Sequence, residues 1–276
     1  MRRNYLALIV AASLALAACS AAEVAGSTTE QPGPPAEPTP LIQIRSEGGF
    51  APVELILANG PTYTVMSDGQ LISPGAVTEI YPGPLVPPYW VQQLSEADMS
   101  LIMDLVREIR LPQIVDEFDD SAASFVADAT TEVITYWDEN GAHRYSVYAL
   151  GIGSNPLNPD EPADPRTKAF RELFEMLGTL GLGDTTPYQP DSVRVIAGVP
   201  ELGPDQQFAD VRDWPFTDDS PTSWERVNQD WTCKVFGPEL LDTFTEATQA
   251  TTWTLGETEY KLLVRPLLPG EPDCPV

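Results

Sequence analysis

One histidine, His143, and three cysteines, Cys19, Cys233 and Cys274, are all the chain offers for nucleophilic or soft-metal chemistry. A Ser-His-Asp site would have to recruit His143, and no Gly-x-Ser-x-Gly turn presents a serine to it. His143 follows the turn signal Asn140-Gly141, so a solvent-facing strand residue is expected there. A zinc site built from several imidazoles is excluded by the count. The glycines around 151 and 178 lack the Lys-Ser/Thr of a phosphate loop. No catalytic residue, cofactor or metal site is assigned.

Carboxylates are abundant, which weakens any single choice among them. The densest group is Asp116, Glu117, Asp119 and Asp120. A calcium loop wants ligands at alternating positions and a central glycine, but the third position here is Phe118. A solvated acidic loop is the expectation there, with a loose surface ion site as the alternative; across the chain the abundance of carboxylates leaves a pair for glycoside hydrolysis open. Trp214, Trp224 and Trp231 lie among Asp213, Asp218, Asp219 and Asp230, as in modules that grip polymers through exposed indoles. Tryptophan's burial tendency favours packing under loops, but the three stand as candidate binding residues. With 41 acidic and 15 basic residues the formal net charge is −26, a field that repels nucleic acid.

The N-terminus has the parts of an export signal: Arg2 and Arg3, an apolar run over 5–16, then Ala17 and Ala18. The run is about 12 residues, short of the about 20 that a spanning helix needs. Residues 1–18 are expected to be removed. Leu16-Ala17-Ala18-Cys19 resembles the lipobox of bacterial lipoproteins. The resemblance implies a diacylglycerol on the Cys19 thiol and a protein held at the extracytoplasmic face of the cell membrane by lipid chains such as palmitate. Each buried lipid CH₂ contributes about 0.8 kcal/mol, so two or more chains hold where one does not. Residues 19–40, rich in proline, are expected to form a disordered tether. Cys233 and Cys274 read as a disulfide in an exported chain. Closing a loop of about 41 residues, it would contribute about 4 kcal/mol in the chain-entropy view.

From Leu41 the pattern is strands with sparse helices. Strands are expected over 41–45, 53–57, 62–66, 70–72, 77–81 and 89–94, with Ser67-Asp68-Gly69 turning a hairpin. Ser95 with Asp98 forms a capping box for a helix carrying Met99, Ile102, Met103, Val106 and Ile109 on one face, closed by Pro112. Residues 131–150 form a hairpin about Asn140-Gly141, with positive φ expected at both. Asp164-Pro165 caps a second helix bearing Phe170, Leu173, Phe174 and Leu177. Beyond a composition shift at 181–190, strands are expected over 192–199, 208–211 and 231–236, a short helix over 238–248, and a hairpin over 251–267. The fold class is α+β, mostly antiparallel strands and hairpins with about three short helices. The shift divides it into candidate sub-domains, 41–183 and 190–276.

The stretch Ile44-Arg45-Ser46-Glu47-Gly48-Gly49-Phe50-Ala51, followed by the helix after Leu94, resembles the start of small bacterial metalloprotease inhibitors of the emfourin type. Pro52 stands where that family has glycine. The resemblance spans about 70 residues and implies a contact role for Gly48, Gly49 and Phe50. Val264-Arg265-Pro266-Leu267-Leu268-Pro269-Gly270-Glu271 is similar to the tails of actinobacterial secreted proteins and implies no activity. The leading expectation is a non-catalytic, lipid-anchored binding protein with a protein or polymer partner. A surface protease inhibitor and a carboxylate hydrolase are the alternatives.

Overall fold

Strand β1 (Pro40–Gly48) organises the first sheet, because Ile42 and Ile44 alternate with Gln43 and Arg45 and turn two buried apolar side chains to one face. The computed structural model describes residues 37–77, 80–124, 126–152, 164–199, 210–217 and 219–275. The export segment, Cys19, the tether up to residue 36, Phe208 and Asp218 lie outside the described residues. After β1 come α1 (Val53–Ala58), β2 (Tyr63–Met66), β3 (Gln70–Pro74), β4 (Tyr89–Gln93) and α2 (Glu96–Ile109). Then follow β5 (Asp116–Asp119), β6 (Thr130–Asp138), β7 (Gly141–Tyr148), α3 (Pro165–Leu180) and β8 (Thr186–Pro187). These strands form one sheet in the order β5-β7-β6-β1-β2-β3-β4-β8, antiparallel except for β5 with β7.

Helices α2 and α3 cover the apolar face. Ile102, Val106 and Ile109, and Phe170, Leu173 and Leu177, recur at helical spacing and pack against Ile42, Ile44, Val65, Leu71, Ile134 and Tyr145. The α2 capping box is complete: Asp98 N–H donates to Ser95 Oγ at 3.1 Å, and Ser95 N–H donates to Asp98 Oδ2 at 3.2 Å. Arg110, at φ 63°, ends the helix before Pro112. Asp164 accepts from Arg166 N–H at 2.8 Å and caps α3.

The second sheet comprises β9 (Val193–Gly198), β10 (Asp210–Asp213), β11 (Glu225–Arg226), β12 (Trp231–Phe236), β13 (Thr251–Leu255) and β14 (Thr258–Pro266), in the order β10-β13-β14-β9-β12-β11. Only β10 with β13 is parallel. Two sheets of mostly antiparallel strands with few helices make this an α+β fold. Central β9 is buried along its whole length. Val193, Val195 and Ala197 join Phe216, Trp224, Phe244 and Trp253 in one core, while Ile196 packs with Trp231 and the Cys233–Cys274 disulfide.

Residues 267–275 run between the sheets. Leu268 packs with Met66, Ile72 and Tyr89 of the first sheet, and Gln43 Nε2 donates to Pro269 O at 3.0 Å. Glu271 reaches the arginines of β9 and β14, and Cys274 is bonded to Cys233 of β12.

Several local expectations need correction. Residues 53–57 form a helical turn, not a strand: Pro52 presets φ at −53°, and Leu55 N–H and Ile56 N–H both bond Pro52 O. Residues 77 and 80–81 form no strand, Pro82 and Pro84 having no amide to give a ladder. The segment after Gly237 is a 3₁₀ helix, Pro238–Phe244. In the β6–β7 turn only Gly141 has positive φ, 122°.

Candidate functional site

Just past the end of β1 stands Phe50, the most exposed large apolar side chain among the described residues. Gly48 and Gly49 hold φ values of +66° and +81°, a left-handed pair that turns the chain off the sheet. A Cβ on Gly49 would stand 3.1 Å from Thr130 Cγ2, so this glycine also permits a close approach to β6. Phe50 N–H donates to Asp128 O at 3.4 Å, while the Phe50 side chain is 91% exposed. Behind it, α1 has no buried residue, and Val53, Leu55 and Ile56 are exposed. Leu57 packs toward the cluster around the disulfide. Leaving one such side chain in water forgoes about 1.5–3 kcal/mol of burial. At its base Glu47 joins Arg45 at 2.5 Å and Arg144 at 2.9 Å.

The tryptophans do the opposite of what a polymer-binding patch requires. Trp224 and Trp231 are buried and Trp214 is half-buried. Trp214, Phe216, Trp224 and Phe236 meet at ring-centroid distances of 4.7 to 5.8 Å. Their indoles are satisfied from inside: Trp214 Nε1 donates to Asp219 O at 2.7 Å and Trp224 Nε1 to Asp219 Oδ1 at 2.8 Å. Burial pushes the Asp219 carboxyl up, but the bonds from Lys234 and Trp224 outweigh it and hold the group below the usual range. Trp231 faces Gly198, where a Cβ would lie 2.5 Å from its ring.

His143 is not solvent-facing. It lies on the helix-covered side of β7 and is buried, with Nδ1 2.5 Å from Ile114 O and Nε2 2.9 Å from Asp138 Oδ1. Both ring nitrogens face acceptors, so the imidazolium is the form that satisfies them. The Asp138 bond, then the Ile114 carbonyl, raise the His143 pKa, and the same contact lowers that of Asp138.

The acids at 116–119 are a strand, not a loop. Glu117 is held down by Arg166 Nη1 at 2.8 Å. Burial pushes Asp119 up, but the Thr167 hydroxyl at 2.7 Å and the Ser121 amide at 3.0 Å outweigh it. Among the described residues Glu117, Asp119, Asp138 and Asp219 are held down, the opposite of what the acid of a glycoside hydrolase needs. A cleft of about 500 Å³ is lined by Arg107, Arg110 and Arg166 with Glu108, Asp164 and Pro165. Among the described residues no group of three His, Cys, Asp or Glu is placed to hold a metal ion.

One cluster was not anticipated from the sequence. Arg194 and Arg265 face each other across β9 and β14, with side chains 4% and 3% exposed, over Glu271 at 5%. Arg265 bonds both Glu271 oxygens at 2.5 and 2.6 Å, and Arg194 Nη1 lies 3.5 Å from Oε1. Burial, then the neighbouring Arg265 charge, push Arg194 down to about 10. The available signal was an arginine interrupting each of two apolar runs, Val193-Arg194-Val195 and Val264-Arg265-Pro266.

No known protein family matches the chain, and no curated protein or solved structure matches it.

Proposed function

We propose that this is a lipid-anchored extracytoplasmic protein, non-catalytic, that holds its α+β body on a tether and contacts a protein partner through residues 48–56. The observation that carries the contact is Phe50, 91% exposed on two left-handed glycines beside an apolar helical turn. The anchor rests on the Leu16-Ala17-Ala18-Cys19 motif. Among the described residues no helix is long and apolar enough to cross a membrane. Cys19→Ser should move the protein from the membrane fraction to the medium, or block its processing. A variant that fractionates like the parent overturns the anchor.

A second reading, a surface protease inhibitor, is favoured by the same protruding Phe50 within the stretch that resembles emfourin-type inhibitors. Its test is hydrolysis of a fluorogenic peptide by a secreted bacterial zinc metalloprotease. Under this reading the parent slows the reaction and Phe50→Asp does not. Equal inhibition by both, or by neither, removes it.

A further inference from the structure

The outer edge of β5 carries an interaction surface separate from Phe50, with β7 and β6 lying between β5 and β1. β5 pairs only with β7, from Asp116 opposite Arg144 to Asp119 opposite Val147, and among the described residues nothing pairs with its other side. A strand paired on one side leaves half of its amides and carbonyls pointing outward, ready for another strand.

This edge is fixed in place. Arg144 N–H donates to Val115 O at 3.2 Å, Arg166 holds Glu117, and Thr167 holds Asp119. A fixed edge loses little freedom when a strand is added. Its apolar side chains face water, Val115 at 82% exposure and Phe118 at 58%. The strand's own charges all have one sign, from Asp116 to Asp120; Arg144 Nε stands 4.0 Å from Asp116, which is still 72% exposed, and Asp120 is exposed as well. Two copies laid edge to edge would set acid against acid, which is destabilising. A strand carrying Lys or Arg meets the opposite condition, and the formal charge of −26 steers it inward.

We infer that β5 docks an extended basic segment of a partner protein by strand addition. Apolar residues of that segment lie against Phe118, and its cations lie against Asp116 and Asp120. The inference stands whether or not Phe50 is a contact.

The probe is a synthetic peptide of alternating lysine and valine, titrated into the full-length protein and followed by fluorescence anisotropy and backbone amide shifts. Saturable binding should come with shifts concentrated at residues 115–119. Methylating the peptide's edge-facing amides should weaken binding about tenfold or more, since it deletes the ladder bonds and keeps the charge. Asp116→Lys with Asp120→Lys should weaken it at low salt, and the same peptide with glutamate for lysine should not bind. Absence of binding overturns the inference. So does binding that tolerates methylation, or shifts that fall elsewhere, because charge alone would then explain the contact.

Discussion

Glu271→Gln removes one negative charge from beneath two guanidinium groups and changes little else in shape. Arg194 and Arg265 stand directly opposite each other on neighbouring strands, almost wholly buried, and like charges so placed repel. Removing one partner of a buried ion pair costs about 3–5 kcal/mol, because the survivor is left uncompensated. The new amide keeps one acceptor for Arg265, and Arg194 keeps the carbonyls of Pro272 and Asp273. Those contacts place the expected loss at the lower end, about 3 kcal/mol. For a chain of this size each kcal/mol moves Tm by about 2–4 °C, so calorimetry with the disulfide intact should show a fall of about 6–12 °C. Urea unfolding should show a lower midpoint at an unchanged slope. Replacing Arg194, Arg265 and Glu271 together by methionine should cost far less than the single change, since no charge remains unpaired. A fall of less than about 2 °C for Glu271→Gln would refute the reasoning, for it would mean that both arginines find water or other acceptors at no cost.

His143 gives a pH dependence with a definite sign. Its pKa is raised, so its contribution is complete below its ordinary value of 6.5 and is lost as pH climbs through the folded value. Asp138, lowered, contributes above 3.8 and loses its part as pH falls through its folded value. Urea midpoints should therefore decline as pH rises from 6.5 through the folded value, and His143→Gln should flatten that decline; an equal decline in the variant would contradict it. Gly198→Ala sets a methyl 2.5 Å from the Trp231 ring inside a strand buried on both faces. It should cost about 1–3 kcal/mol by urea unfolding, and an unchanged midpoint would show that the indole moves freely.

What could be read from the chain was what is local. The hairpin of β6 and β7, the Ser95–Asp98 box and the Asp164 cap are each written within a few residues, and all three form as expected. Residues 53–57 misled because a short apolar run has no period that separates strand from helical turn, and Pro52 decided it. Tryptophan burial, the environment of His143 and the arginine pair are tertiary facts. Trp224 is covered by Phe216 and Phe236, His143 meets a carbonyl brought from residue 114, and Arg194 meets Arg265 only through sheet register. The Gly48-Gly49-Phe50 motif was visible, but its exposure follows from where β1 ends in the sheet.

The central claim is that Phe50 is a contact residue. The direct measurement replaces it in living cells with a photoreactive phenylalanine and irradiates, with the same substitution at Leu182 as a control for an exposed apolar position elsewhere. A discrete adduct from position 50, absent from position 182, is the predicted result. No adduct at 50, or the same adducts from both positions, would contradict the account.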